Sequence, residues 1–115
     1  MANDMDEEIY DIKDIILETK KSLRQPGFES LINFNDHLTL EELKIFLAEK
    51  IAIMMNTNMN LLLSTLYRID IDESKVRGLF SGKIKEDIPQ GLASLIIERQ
   101  LQKIHFRNKY KNDNL

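Results

Sequence analysis

Apolar positions along this chain recur at helical intervals and predict five helices. Ile9, Ile12, Ile16 and Leu23 follow one another at spacings of three, four and seven, which marks one face of a first helix from about Asp4 to Leu23. Acids crowd its first turns and Lys20 and Lys21 its last, in the sense of the helix dipole, and Gln25-Pro26-Gly27 stops it. The stripe spans barely two heptads and Thr19 interrupts it, so it reads as core more than as a coiled-coil seam. Phe28 to Leu38 has no regular period and reads as a packed connection.

The next boundary is sharper. Thr39 with Glu42 forms a capping box, and Leu38 with Leu43 a hydrophobic staple. The second helix then runs to about Met55, with Leu40, Leu43, Phe46, Leu47, Ile51, Met54 and Met55 on an apolar face and Glu41, Glu42 and Glu49 outside it. Asn56 to Asn60 breaks the pattern, giving either a separate third helix to about Arg68 or one longer bent helix. Asp72 caps a short fourth helix through Phe80, ended by Gly82, and Asp87 before Ile88-Pro89 opens the last and longest, to about Tyr110. Met54, Met55 and Met59 fit gap-filling in the core better than an adaptable binding surface.

The last helix is apolar on two sides. Ile88, Leu92, Leu95, Ile96, Phe106 and Tyr110 fall on one, and Ala93, Ile97, Leu101 and Ile104 on the other. Such a helix must be covered twice, so it is either the centre of the bundle or shared with a second subunit. The expected fold is therefore an all-α single domain over 1–115, a compact bundle of about five helices with the 88–110 helix central.

Composition agrees. The chain has 115 residues, 43% apolar and 30% charged, with four Gly and two Pro, which suits one helical core. It has no cysteine, which excludes disulfides, thiolate metal sites and thiol nucleophiles. No run approaches the ~18 apolar residues of a membrane span, and the acidic start does not read as a signal peptide, so a cytoplasmic protein with no membrane partner is expected.

Charge is unevenly placed around a net of -3. Residues 1 to 18 hold seven acids against Lys13, whereas 98 to 111 hold Arg99, Lys103, Arg107, Lys109 and Lys111 against Glu98. Arg99 and Lys103 project along the Leu92, Ile96, Phe106 side of the last helix, where a guanidinium needs a carboxylate or an edge position. Candidate partners are Asp70, Asp72 and the acids of the first helix, within one chain or across a dimer, so Arg99→Met should lower the melting temperature or dissociate a dimer.

Candidate chemistry is sparse. Asp70-Ile71-Asp72 begins like a calcium loop but has Lys75 at the sixth position and Ser81 at the twelfth, and reads as capping and surface solvation. His37 and His105 are the only imidazoles and neither sits beside a carboxylate at ligand spacing, so neither a metal nor another cofactor is expected. Acid–base chemistry is left to carboxylates, and an enzyme of that kind requires a concave pocket with two or more acids. The basic segment suits phosphate contacts, but the pI near 5.4 and the lack of helix-turn-helix spacing weigh against nucleic acid.

Two stretches, Leu66-Tyr67-Arg68-Ile69-Asp70-Ile71-Asp72-Glu73 and Leu95-Ile96-Ile97-Glu98-Arg99-Gln100-Leu101-Gln102-Lys103, together resemble small helical conserved bacterial proteins of uncharacterised function. The resemblance covers the second half of the chain and implies a bacterial origin and no particular activity. The function expected from all of this is a non-enzymatic helical interaction or accessory module, as a homodimer or with another protein; the alternative is a nucleic-acid-associated protein using the basic last helix.

Overall fold

The computed structural model describes residues 10–26, 29, 32–35 and 37–113. Among the described residues five helices and no strand form: α1 (Ile12–Leu23), α2 (Leu40–Thr57), α3 (Met59–Arg68), α4 (Glu73–Ser81) and α5 (Ile88–Asp113).

The first helix begins later than its charge pattern predicts. Tyr10 and Asp11 are not helical, and the Asp11 carboxylate accepts the Lys13 N–H at 2.9 Å, capping α1 at Ile12. A side chain that satisfies an amide two residues on competes with continued helix on its N-terminal side. The expected start at Asp4, and Ile9 in the apolar stripe, lie outside the described residues. Thr19 does not break the buried face: it is fully buried, its hydroxyl donating to the Ile15 carbonyl at 2.6 Å.

The Thr39 capping box is present in both directions. Thr39 Oγ1 accepts the Glu42 N–H at 3.1 Å, and Glu42 accepts the Thr39 N–H at 3.0 Å. The Thr39 backbone N–H, and after it the Thr39 hydroxyl, hold the Glu42 carboxyl below the usual glutamate range. Thr39→Ala is expected to cost about 1 kcal/mol of unfolding free energy in a urea titration, the ordinary worth of such a cap. Leu40, at the first helical position, is exposed instead of facing the core. Phe46 is half-buried, its ring edge-on to Phe34 at 5.2 Å.

Asn58 divides α2 from α3 and serves both. Its N–H donates to the Met54 carbonyl at 2.7 Å and its side chain accepts from the Leu61 N–H at 3.2 Å. A single residue thus breaks what would otherwise be one bent helix. The end of α3 positions the site described below. Ile71 N–H donates to the Leu66 carbonyl and Asp70 N–H to the Tyr67 carbonyl, both at 3.0 Å, and Asp70 takes a left-handed conformation, φ 64°. This is a Schellman ending with aspartate where glycine is commonest, and Ile71 and Leu66 are both buried beside it. Asp72 then caps α4 by accepting from Ser74 N–H at 2.9 Å, and Gly82, φ 80°, closes it.

The core converges on α5, which packs most extensively on α2, then on α1 and α4. Leu92 and Ile96 on one side and Ala93, Ile97 and Ile104 on the other are all buried. The helix is therefore central, and a single chain covers both sides of it from about residue 91 to 105. α4 comes close to the first turn of α5: a Cβ on Gly91 would stand 2.6 Å from the Leu79 side chain, so glycine is what permits that approach. Met54 is buried and Met55 and Met59 pack against the core. Among the described residues, no helix is long and apolar enough to cross a membrane.

Candidate interaction surface

Two unlike regions share one side of α5. The first is a cleft of about 310 Å³ between the α3–α4 connection and the middle of α5, lined by Asp70, Asp72, Lys75, Leu95, Glu98 and Arg99 among others. The Schellman turn sets its geometry, because the left-handed Asp70 projects its carboxylate outward towards Arg99. Arg99 Nη2 lies 3.6 Å from that carboxylate, Nε donates to the Ile69 carbonyl at 3.3 Å and Nη1 to Gln102 at 3.4 Å. The guanidinium is three-quarters buried, whereas Asp70 is largely exposed. Lys75 and Glu98 pair across the cleft at 3.4 Å, both half-exposed, an arrangement worth at most about 1 kcal/mol.

The cleft does hold three acids, enough to meet the two that carboxylate chemistry requires. Each is engaged, however: Asp70 with Arg99, Glu98 with Lys75, and Asp72 with the α4 amides. The Asp72 carboxyl is held below its usual value by the Ser74 hydroxyl and backbone N–H, the opposite of what a proton-donating acid at neutral pH needs. The cleft is a set of ion pairs at an open surface.

The second region is the distal half of α5. Lys103 Nζ donates to Ser22 Oγ at 2.9 Å, and Arg107 Nη1 lies 3.2 Å from the Glu18 carboxylate. Residues 22 and 18 meet 103 and 107, so α1 runs antiparallel along this half, and one turn further the same register brings Asp14 level with Lys111. Glu18 of the acidic N-terminal segment thus pairs with Arg107 of the basic last helix, while Asp4, Asp6, Glu7 and Glu8 lie outside the described residues. Ser22 joins three helices: its hydroxyl also donates to Gln100 Oε1 at 2.7 Å, and its carbonyl accepts from Arg68 Nη2 at 3.1 Å. Arg68, Ser22 and Gln100 carry no motif that would single them out in the sequence.

Burial pulls the Lys103 ammonium below its ordinary value, reinforced by Arg99, Lys21 and Arg68, with Glu18 pulling the other way. A lysine depressed in the folded state loses its proton before the unfolded chain does. Stability should therefore rise with pH between the depressed value and the usual one, and the penalty is fully present below both. Melting temperatures of the protein and of Lys103→Met, compared from about pH 8 to pH 10, should show a shallower pH dependence in the variant over this window.

On the side of α5 that α1 leaves open, Phe106 is 60% and Tyr110 71% exposed, flanked by Lys109. Among the described residues of the Leu92 side, these are the most exposed apolar ones. Other exposed apolar side chains lie elsewhere. Leu63 and Tyr67 line a groove with Val76 between α3 and α4, and Leu17 lies with Lys13 and His37 against α1. His37 is exposed at that second place, whereas His105 is buried with its ring edge-on to Phe106 at 5.6 Å. Among the described residues, no group of three or more His, Cys, Asp or Glu is placed to hold a metal ion.

Comparison of the chain with protein-family models, with curated proteins and with solved structures finds no match.

Proposed function

We propose that this chain is a non-enzymatic helical interaction module whose working surface is the open side of distal α5. The observation that carries this reading is the contrast along one helix. From Leu92 to Ile104 the apolar residues are buried or partly buried by the chain itself, whereas Phe106 and Tyr110, on the same side as Leu92, are 60% and 71% exposed. Aromatic rings supply large contact area and are enriched at interfaces, and Lys109 and Arg99 flank them with charge. Partner binding here needs no rearrangement of the core.

Hydroxyl-radical footprinting tests it. The purified chain, diluted into an extract of the cells that make it, should show protection of Phe106 and Tyr110 relative to buffer, with Leu17, Ile53 and Tyr67 unchanged. Protection at those other residues instead, or none at Phe106 and Tyr110 either in extract or on concentrating the purified chain, would overturn the reading.

A second reading rests on the cations beside the rings. Lys103, Arg107, Lys109 and Lys111 interleave with Phe106 and Tyr110, and cations alternating with aromatic faces suit single-stranded nucleic acid. Retention on immobilised single-stranded DNA or RNA that falls steeply with salt supports it. Flow-through at about 50 mM salt removes it, since phosphate contacts are strongest there.

A further inference from the structure

Leu95, Arg99, Gln102, Phe106 and Lys109 succeed one another along α5 at alternating spacings of four and three, the interval that keeps side chains on a seam facing a second helix. The two halves of this seam differ. The proximal half is the concave, acid-rimmed cleft with Asp70, Asp72 and Glu98. The distal half presents two exposed rings with Lys109. Because both lie on one side of one helix, a copy turned end for end about an axis at Gln102 sets the rings of each chain over the cleft of the other.

We propose that the partner of this surface is a second copy of the chain, joined through antiparallel α5 helices about a two-fold axis near Gln102. This rests on the reading of the open side of α5 as the working surface and adds its occupant. Leu95 then meets the partner's Tyr110, and Arg99 meets the partner's Phe106, a cation over a ring. Lys109 approaches the acids Asp70 and Asp72. Both contacts are made twice, as an isologous interface requires. An acidic protein of pI near 5.4 has in this seam its own complement, basic where the copy is acidic.

The area sets the strength. Four partly exposed rings contribute on the order of 500 Å², and the flanking Leu95, Arg99, Gln102 and Lys109 bring the total to the small end of the ~1,200–2,000 Å² of a stable interface. The dimer is therefore one that dissociates on dilution.

Sedimentation equilibrium with single-cysteine variants tests it. The weight-average mass should rise from 13.5 kDa towards twice that value between about 1 and 500 µM, the range expected of a small interface, and Phe106→Glu should hold it at the lower value. As the chain has no cysteine, Gln102→Cys places a single thiol beside its own symmetry mate. Mild oxidation should link Gln102→Cys into a covalent dimer and leave Ile53→Cys, exposed on α2, monomeric. A constant mass of 13.5 kDa up to about 1 mM, or linkage through Ile53→Cys and not Gln102→Cys, would sink the proposal. These outcomes are separable from failure of the underlying reading. If Phe106 and Tyr110 are protected in extract while the purified chain stays monomeric, the surface stands and its occupant is another molecule, nucleic acid where nuclease abolishes the protection and protein where it does not.

Discussion

Leu92→Ala and Ile104→Ala are each expected to lower the unfolding free energy by about 2–5 kcal/mol, whereas Phe106→Ala should change it by about 1 kcal/mol or less. Leu92 and Phe106 lie within about 40° of each other on α5, and a helical-wheel argument alone assigns them equal weight. Their surroundings separate them. Leu92 is 0% exposed and Ile104 3%, so truncation of either leaves a cavity that α2 and the neighbouring helices cannot fully close. Phe106 is 60% exposed, and its truncation at low concentration forfeits little beyond the edge-on contact with His105. Urea titrations of the three variants at one protein concentration, near 1 µM where any dimer is dissociated, decide the matter. A Phe106→Ala cost equal to that of Leu92→Ala would mean that the distal side of α5 is covered within the monomer.

That contrast also shows how far the fold is legible in the sequence. The two-sided character of the last helix follows from periodicity, because six turns of regular spacing leave little choice about which residues share a side. The Thr39 cap is equally plain, since every donor and acceptor it uses lies within four residues. The start of α1 is not, because several acids precede Ile12 and each is a competent cap; the choice of Asp11 depends on where the chain turns. Nor is the end of α3 legible. A Schellman ending is read from glycine, and here Asp70 takes the left-handed position, so the composition of the turn conceals its geometry.

The site follows the same rule. Charge alone narrows the partners of Arg99 to Asp70, Asp72 and the acids of α1. The Schellman turn selects Asp70, and the antiparallel register of α1 brings Glu18 to Arg107 instead. Neither selection is local in sequence. The open side of α5 is likewise a property of packing: the sequence identifies two sides that need cover, and only the lengths and placement of α1 to α4 decide where cover runs out.

Gln100→Ala is expected to cost about 2–4 kcal/mol, the second large effect, through a network that no sequence pattern marks. Gln100 is 0% exposed on the buried face of α5, one turn from Ile96 and from Ile104. Its Nε2 donates back to the Ile96 carbonyl at 3.1 Å, which orients Oε1 to accept from Ser22 Oγ at 2.7 Å. Ser22 in turn accepts from Lys103, and its backbone carbonyl from Arg68. A buried amide of this kind is stabilising only while its partners are in place; removing one end leaves the other desolvated and unpaired. Gln100→Leu fills the same space without the acceptor and should cost less than Gln100→Ala, the difference reporting the cavity. The remaining cost of Gln100→Leu reports the hydrogen bond, and a cycle with Ser22→Ala isolates it. The two residues are 78 positions apart, and their coupling is expected at about 1 kcal/mol or more, as for groups in one network. Additive costs in that cycle would show that the Ser22–Gln100 hydrogen bond contributes nothing to holding α1 to α5.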